Sequence, residues 1–445
     1  ARGAFLMAKY QKYAECKDSG VEWLGEIPSH WEMWKLSHAY NEIGSGTTPS
    51  TSNEENFEGD IPWVTTGELR ENIILDTKKK VSQKTIELFP TLRKYPSGSV
   101  AIAMYGATIG RLGILGVEAT TNQACCVMTT SKVLDNKYLF YWLQAFKNEI
   151  IQLSSGGGQP NINQEKVASL KISAPLVEDQ VTIVNFLDHE TAKIDSLISK
   201  QEKLIELLKE KRQAVISHAV TKGLDPNVTM KDSGVEWLGE VPEHWEISPI
   251  KFVLENKDYK RIPLSAEERG NRSGDYRYYG ASGVIDYIDD YIFDEPNVLV
   301  GEDGANLVNR NTPLAFPAYG KYWVNNHAHI LHPQDSLADY WAELIEIIDI
   351  SPLVSGSAQP KLTAEALKNL KISFPLDLEE RKAIDIFIKH QKVKFDFLIS
   401  KATNQIELLK ERRTALISSA VTGKIDVRNW QNPNNNNEAK MEFSA

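Results

Sequence analysis

The chain contains two copies of one sequence unit, and this duplication restricts the possible folds more than any other feature. The segment KDSGVEWLGEIPSHWE at residues 17–32 recurs as KDSGVEWLGEVPEHWE at residues 231–246, with fourteen of sixteen positions identical. GQPNINQEKVASLKISAPL at 158–176 matches AQPKLTAEALKNLKISFPL at 358–376. ISKQEKLIELLKEKRQAVISHAVTKG from Ile198 matches ISKATNQIELLKERRTALISSAVTGK from Ile399. The sequence therefore predicts two equivalent modules instead of one continuous domain.

The blocks between the shared motifs have diverged. Residues 33–157 and 247–357 share only short landmarks: AMYGATIGRLG at 103–113 aligns with VGEDGANLVNR at 300–310, and TNQACCV from Thr121 aligns with NNHAHIL from Asn325. A shared scaffold that carries two different inserts predicts one task performed twice, on two different targets.

Each copy ends in a predicted long helix, which begins just after Pro175 or Pro375. Apolar residues recur there at alternating three- and four-residue steps, which is the pattern of a coiled-coil seam. They are Ile183, Leu187, Ile194, Leu197, Ile198, Leu204, Leu208 and Val215 in the first helix, and Ile384, Ile388, Phe395, Leu398, Ile406, Leu409 and Ile417 in the second. Neither helix is apolar all round, so each needs a partner for its stripe, and we expect the two helices to pair.

The variable blocks combine strand and helix patterns. SVAIAMY at 99–105 and NVLVG at 297–301 predict strands that end in glycine turns, and KYLFYWLQAFKNEIIQLSS from Lys137 predicts an amphipathic helix. The expected fold is α/β (α+β), with two globular domains separated by two long antiparallel helices that form a coiled coil, in a pseudo-twofold internal repeat. The expected boundaries are 1–16 for an N-terminal extension, 17–176 for the first repeat motif and domain, 177–222 for the first helix, 223–376 for the second motif and domain, 377–426 for the second helix, and 427–445 for a disordered tail.

Composition excludes several classes of protein. The chain has 50 basic and 60 acidic residues, a net charge of −10, which argues against a polycation that coats nucleic acid or membrane. Three cysteines cannot form a disulfide framework, so a reducing cytoplasm is expected. No apolar run is long enough to span a membrane, and the start lacks a secretory signal. Because the chain opens on Ala1 with a methionine at Met7, residues 1–6 are expected to be an upstream extension.

Motifs typical of catalysis are missing. The sequence has no GxxxxGK[ST], HExxH, GxSxG or paired CxxC pattern. The glycine clusters at 154–160 and 105–110 are expected to form turns, and Cys125 and Cys126 to be small buried residues. His327, His329 and His332 could suggest a metal, but neutral histidines beside a strand are the favoured interpretation. The pattern indicates a binding protein without catalytic residues, metal or cofactor.

Taken together, several motifs resemble the DNA specificity subunit of type I restriction-modification systems. The first motifs are the doubled VEWLGEIPxHWE, the pair IPW and TTGEL, and YGATIGR followed by TNQA. The others are GQPN followed by LKIS and PL, and the helix motif IELLKEKRxAVI. The likeness runs from Lys17 to about Asp426.

The resemblance implies a non-catalytic, prokaryotic cytoplasmic subunit with two target-recognition domains, each reading one half of a bipartite sequence in double-stranded DNA. It also implies that the two helices set the spacer and hold two modification subunits, which bring S-adenosylmethionine and methylate adenine. Restriction subunits that use ATP and Mg²⁺ can join. The alternatives are a tandem ligand-binding or adaptor protein that does not act on DNA, and an enzyme with its own methyltransferase, for which no motif is found.

Candidate phosphate contacts are basic clusters, since phosphate neutralisation supplies much of DNA affinity. Residues 33–171 hold 14 basic and 13 acidic side chains, and residues 247–371 hold 12 and 18, so neither domain is basic in bulk. The clusters are Arg70, Lys78, Lys79, Lys80 and Lys84 in the first domain, and Lys257, Lys260, Arg261, Arg269, Arg272 and Arg277 in the second. The simpler interpretation is that these clusters are solvated surface. From the net acidity, we expect the isolated chain to bind DNA weakly and to need its partner subunits to enclose the duplex.

Candidate base contacts are side chains on exposed loops, because base reading needs fork-shaped or amide groups there. They are Thr65, Thr66, Arg70, Tyr105, Thr108 and Arg111 in the first domain, and Arg277, Tyr278, Tyr279, Ser282, Asn309 and Arg310 in the second. The structural alternative is that Tyr105 and Tyr279 pack in the core and Arg111 pairs with an acid.

Residues that do not vary between the copies are better candidates for the core or for partner docking. These are Trp23, Trp31, Trp237 and Trp245 of the repeated motif, and Leu204, Leu208, Ile406 and Leu409 of the helices. The first motif precedes its domain, whereas its copy follows the first helix. We therefore expect the N-terminal motif to pack near the end of the second helix and to close a pseudo-twofold ring.

Overall fold

The computed structural model describes residues 10–153, 161–356 and 359–433, and these form two compact units. The first unit contains the chain up to Lys200 and from Gln405 onward, and the second contains Gln201–Asn404. Each unit combines one variable block with one end of each long helix. The predicted fold class is confirmed. The glycine cluster at 154–160 and Ala358 of the matched motif lie outside the described residues.

The first unit is built on a five-stranded sheet with the order β4-β11-β8-β9-β6. Strands β8, β9 and β11 are buried at every position, as expected for short runs of apolar and small residues. The strands are β1 (Cys16–Asp18), β2 (Glu26–Pro28), β3 (Glu32–Lys35), β4 (Ile43–Ser45), β5 (Ile61–Val64), β6 (Asn72–Ile74), β7 (Lys80–Val81), β8 (Val100–Ala103), β9 (Leu112–Leu115), β10 (Thr120–Thr121), β11 (Cys125–Met128) and β12 (Lys171–Ala174). The helices are α1 (Leu36–Ala39), α2 (Gln83–Leu88), α3 (Asn136–Ala145), α4 (Lys147–Gln152), α5 (Gln164–Ser169) and the long α6 (Val177–Lys222).

The second unit has two four-stranded sheets, with the orders β16-β23-β20-β21 and β18-β17-β22-β19. Its strands are β13 (Met230–Asp232), β14 (Glu240–Pro242), β15 (Trp245–Pro249), β16 (Leu254–Asn256), β17 (Ser273–Gly280), β18 (Gly283–Ile288), β19 (Phe293–Asp294), β20 (Asn297–Gly301), β21 (Ala315–Ala318), β22 (Lys321–Val324), β23 (Ala328–Pro333), β24 (Val354–Ser355), β25 (Lys361–Leu362) and β26 (Lys371–Pro375). The helices are α7 (Ala266–Gly270), α8 (Asn306–Asn309), α9 (Ala338–Glu346), α10 (Ala364–Asn369) and the long α11 (Leu378–Val421).

The repeated motif forms the same small scaffold in both units. It folds as an antiparallel hairpin, β1 with β2 and β13 with β14, followed by a strand that pairs with the LKIS strand, β3 with β12 and β15 with β26. Trp31 and Trp245 are buried beside these strands. In the first unit Trp31 shares a core with Ala420 and Val421, so the N-terminal motif packs against the end of α11.

The landmark alignment of the two variable blocks is wrong by one residue. The amides of Ile162 and Leu362, which the repeat aligns, donate at 2.8 Å to Met104 O and Glu302 O, so Met104 corresponds to Glu302 and Gly106 to Gly304. Both glycines have positive φ, 80° and 99°. The turn geometry needs glycine at this position, and that requirement fixes the register.

The long helices run antiparallel and are joined by an ion pair in each unit. Arg413 Nε lies 2.9 Å from Asp195 Oδ1 in the first unit, and Arg212 Nη1 lies 2.8 Å from Asp396 Oδ1 in the second. At 1.5 Å per residue, the 46 residues of α6 extend over roughly 70 Å.

Two positions of the predicted seam are wrong. Leu197 and Leu204 are exposed, whereas Ile194 is buried and Ile198 and Ile205 are partly covered. The seam therefore passes through Ile198, which was predicted, and through Ile205 instead of Leu204. Adjacent apolar residues made the two faces indistinguishable by sequence pattern.

Both ends of the described chain pack onto the first unit. Tyr13, in the predicted extension, is buried against Trp31, with their ring centroids 5.9 Å apart. Val427 is buried, and the Trp430 ring lies 5.7 Å from that of Phe186. Val427 and Trp430 of the predicted disordered tail thus have defined contacts, while residues 434–445 lie outside the described part.

Candidate DNA-recognition site

The two units present an equivalent loop that carries different residues. After β8 the chain turns at Gly106, and Tyr105 forms an isolated β-bridge with Asn161. After β20 it turns at Gly304, and Asp303 forms the matching bridge with Lys361. The backbone geometry is thus repeated while the exposed chemistry is not.

In the first unit this loop brings together three of the predicted base contacts. Tyr105, Thr108 and Arg111 lie on one short turn, in which the Arg111 amide donates to Thr108 O at 3.0 Å. Arg111 is partly exposed, and its guanidinium has no acidic partner within the described residues. Burial and the nearby Cys125 raise the pKa of Tyr105, so its phenol remains a neutral hydrogen-bonding group. The alternative pairing of Arg111 with an acid is therefore not what the structure contains.

A second loop of the first unit lies beside the parallel strands β5 and β10. Thr65 and Thr66 follow β5, and the amide of Asn122 donates to Val64 O at 2.9 Å at the same end of these strands. The Thr65 hydroxyl donates to Glu68 Oε2 at 2.7 Å, so it serves the loop itself. Thr66 is partly exposed.

Gln123 is a recognition candidate that the sequence analysis missed. Its side chain is exposed and hydrogen-bonds Tyr105 and Thr48, so it lies where the first unit's loops converge. It belongs to the TNQA landmark, and a glutamine amide matches the adenine edge. The amide group of Gln123 within this landmark was the property from which the sequence could have identified it.

The basic cluster of the first unit remains at the surface. Arg70, Lys78 and Lys84 are exposed and have no acidic partner in the described chain. Lys80 pairs with Asp76 at 2.9 Å, and the Lys79 ammonium lies 4.6 Å from the centre of the Phe57 ring.

Most basic side chains of the second unit's cluster form ion pairs within the domain. Lys257 is only 6% exposed and lies 2.7 Å from Glu295. Arg261 is bonded to Glu302, Arg269 lies 3.0 Å from Asp286, and Arg272 lies 2.9 Å from Asp289. These pairs follow from the excess of acidic residues in this domain. Lys260 and Arg277 remain exposed.

Three predicted base contacts of the second unit have structural roles instead. Tyr278 is fully buried and its hydroxyl accepts from Leu264 N at 2.9 Å. Tyr279 is buried and stacks on Phe316, with centroids 5.9 Å apart. Arg310 donates to Ile348 O at 2.7 Å. The two tyrosines are not available to a ligand, and the Arg310 guanidinium is held by Ile348 and lies 3.6 Å from Glu346.

The exposed candidates that remain in the second unit are Ser282 and Asn309, in addition to Arg277. Asp303, on the equivalent loop, accepts from His327 Nδ1 at 2.8 Å and was not predicted. Its acidic side chain carries no sequence signal for DNA binding, which explains the omission.

A buried ionic cluster supports that loop from below. His329 Nδ1 lies 2.7 Å from Asp258 Oδ2 and its Nε2 lies 2.9 Å from Leu362 O. Both ring nitrogens face acceptors, so the ring is hydrogen-bonded on both sides within this cluster. Burial opposes ionisation of Asp258, yet hydrogen bonds from His329 and Asn256 keep its pKa below the ordinary value.

No set of three His, Cys, Asp or Glu side chains in the described chain is arranged to hold a metal ion. Cys125 and Cys126 are buried, and burial raises the pKa of both thiols, which keeps them protonated and unreactive. Nor does any helix among the described residues have the length and apolarity to cross a membrane.

The residues expected in the core or at a partner interface divide into two groups. Trp31, Trp245 and Ile406 are buried, and Trp23 packs on Trp142 and Phe146. Trp237 is 51% exposed, Leu204 is exposed, and Leu208 and Leu409 are partly covered. Only the second group is accessible for docking.

Two variable α+β domains on a duplicated helical scaffold define a modular recognition protein. The family model for the type I restriction modification DNA specificity domain matches residues 28–207 and 242–417. The chain therefore belongs to this family, whose members are non-catalytic, DNA-binding specificity subunits with two target-recognition domains.

Individual relatives agree with this assignment. The chain is 24% identical to the type I restriction enzyme MjaVIII specificity subunit of Methanocaldococcus jannaschii over 91% of this chain and 95% of that protein. Its fold is similar to a chain solved in a study of assembly and conformational transition of the type I R-M system, with a TM-score of 0.68, 15% identity, and 90% and 99% of the two chains covered. The HsdS subunit from Thermoanaerobacter tengcongensis gives a TM-score of 0.52, 14% identity, and 90% and 98% coverage.

Proposed function

We propose that each target-recognition domain reads one half of a bipartite DNA sequence, and that the two long helices set the spacer between the halves. The observation that carries this proposal is the repeated loop at Gly106 and Gly304, which keeps one backbone geometry and changes its side chains. A bipartite target with two unlike halves needs such a pair of readers. The membership in a DNA specificity family favours DNA over the alternative adaptor function.

The contacts divide into bases and phosphates. In the first domain, Arg111 would read guanine and Gln123 adenine, while Tyr105, Thr66 and Thr108 supply hydrogen-bonding groups beside them. In the second domain, Arg277, Ser282 and Asn309 have that role. Phosphate contacts come from the exposed and unpaired side chains, which are Arg70, Lys78, Lys84 and Lys260.

In this proposal the helices set the distance between the two DNA half-sites and bind the partner subunits. Exposed apolar side chains on them, Leu197, Leu204 and Leu207 on α6 and Phe397 and Leu408 on α11, suit contact with two modification subunits. Those subunits would bring S-adenosylmethionine and methylate adenine, and restriction subunits with ATP and Mg²⁺ would join for cleavage. The complex would act in the prokaryotic cytoplasm.

The base-reading assignment is tested with Arg111→Ala and a matched control, Arg93→Ala, whose guanidinium is paired with Glu42 at 3.0 Å. Methylated adenines are mapped in cells that carry the full chain and its modification subunits. Arg111→Ala should relax one half of the target and leave the other half and the spacer unchanged. The control should keep the original target. An unaltered target with Arg111→Ala would contradict the assignment.

The spacer assignment is tested by lengthening both helices by one turn, near Lys200 and Lys401, so that their antiparallel register is kept. Four added residues extend each helix by about 6 Å, close to two base pairs of B-DNA at 3.4 Å each. Mapping should give both original half-sites with a longer spacer. Altered half-sites with the old spacer would refute the role of the helices.

A further inference from the structure

Each recognition domain is fastened to its long helix by charged side chains. In the first unit, α3 of the domain lies against α6. Lys137 Nζ lies 2.7 Å from Asp188 Oδ2, and the Tyr141 hydroxyl donates to Asp188 Oδ1 at 2.8 Å. Here the domain contributes the base and a hydroxyl, and the helix contributes the acid.

The second unit has an ion pair at the equivalent contact between domain and long helix, but with the charges exchanged. Lys392 of α11 lies 2.8 Å from Asp339 and 2.7 Å from Glu343 of α9, and Lys389 lies 3.8 Å from Asp339. Burial disfavours charge on Asp339, but the bond from Lys392 holds the pKa of this carboxyl below its ordinary value. Here the domain contributes two acids and the helix contributes two bases, beside its own Asp385, which lies 2.8 Å from Lys389.

The internal repeat shows that these positions correspond. The alignment of Ile198 with Ile399 places Asp188 at the position of Lys389, and Thr191 at that of Lys392. Tyr138 and Tyr340 are fully buried on the first turns of α3 and α9.

Alignment of these tyrosines places Lys137 at the position of Asp339, and Tyr141 at that of Glu343. One ion pair has therefore been inverted between the two copies.

We propose that the two helix ends are docking surfaces of opposite charge, each of which accepts only a recognition domain that presents the complementary charge. A domain of the first type on the second surface would place Lys137 against Lys389 and Lys392. A domain of the second type on the first surface would place Asp339 and Glu343 against Asp188. Like charges brought together at an interface disfavour the wrong partner. The second surface discriminates more strongly, because its groups are more buried and less screened by water.

The proposal goes beyond DNA reading and can be tested in the full chain without DNA. Hydrogen exchange of α9 is measured in three variants: Asp339→Lys with Glu343→Lys, Lys389→Asp with Lys392→Asp, and all four changes together. Each half-inversion should accelerate exchange in α9 at least tenfold, and the complete inversion should return it to within about threefold of the original. The control inverts Lys203 and Glu206, an exposed pair on α6 away from the domains, and should change nothing at α9.

A transplant provides the second test. Residues 36–170 replace residues 250–370, so that both positions carry the first domain. With the native helix, the transplanted copy of α3 should exchange rapidly. Adding Lys389→Asp and Lys392→Thr, which recreate the first surface, should restore its protection at least tenfold. The proposal would be overturned if the transplanted α3 exchanged its amide hydrogens equally fast on both helix surfaces. It would also be overturned if α9 exchanged as fast in the complete inversion as in the two half-inversions. Loss of DNA binding with these exchange results intact would count against the proposed function only.

Discussion

Substitution Asp258→Asn tests the buried ionic cluster beneath the second recognition loop. Asp258 accepts from the ring of His329 at 2.7 Å and from the amide of Ile330 at 2.8 Å, and His329 is almost fully buried. The neutral amide would remove the carboxylate nearest to the buried ring and leave Glu302, 3.8 Å from His329 Nδ1, as the remaining acid. Breaking a buried ion pair in this way costs about 3–5 kcal/mol. Because the carboxylate of Asp258 keeps some exposure, we expect about 3 kcal/mol.

The assay is urea unfolding of the full chain, with hydrogen exchange to locate the loss in the second unit. The matched control is Asp303→Asn, which removes a more exposed pair with His327 and should cost about 0–1 kcal/mol. A cost below 1 kcal/mol for Asp258→Asn would refute the reasoning that the pair is charged and buried. Since Leu362 links the cluster to the loop through a 2.8 Å bond to Glu302 O, binding to the second half-site should weaken selectively.

The same carboxylate gives a pH dependence whose sign follows from its lowered pKa. A group with a folded pKa below its unfolded value contributes stability above the unfolded pKa, about 3.9 for aspartate, and loses it as the pH falls through the folded pKa. The stability that the Asp258 carboxylate contributes, measured as the difference between the original chain and Asp258→Asn, should therefore shrink as the pH falls below about 4.

Three further predictions follow from single features. Gly106→Ala should cost about 1–2 kcal/mol in unfolding free energy, because φ is 80° there although a methyl group would meet no atom within 4 Å. Trp245→Phe should destabilise the chain by about 1 kcal/mol more than Trp31→Phe does. Trp245 Nε1 donates to Glu380 at 3.0 Å, whereas Trp31 Nε1 has no hydrogen-bond partner within the described residues. Equal losses of unfolding free energy in urea would contradict this prediction. DNA affinity of the assembled complex, measured by fluorescence anisotropy, should fall steeply as salt rises, and a salt-independent affinity would argue against phosphate contact.

The parts of the structure that sequence could predict are those with strong periodicity or repetition. Helix α6 covers the residues expected from its three- and four-residue spacing, and the duplicated motif forms the same hairpin twice. The sequence could not show which arginines lack an acidic partner in the folded chain. Arg261 is neutralised by Glu302, 41 residues further along the chain, and only the folded sheets bring such partners together. Arg111, in contrast, has no acidic partner within the described residues.

The two ion pairs between the long helices have an evolutionary consequence. Asp195 and Arg212 lie on the first helix, and Asp396 and Arg413 occupy the matching positions of the second, so each helix carries both members of the same interaction. A chain made of one repeat would thus be self-complementary, able to form both pairs with an identical copy of itself. Fusion of two such genes would preserve the assembly unchanged and free each half to acquire its own target.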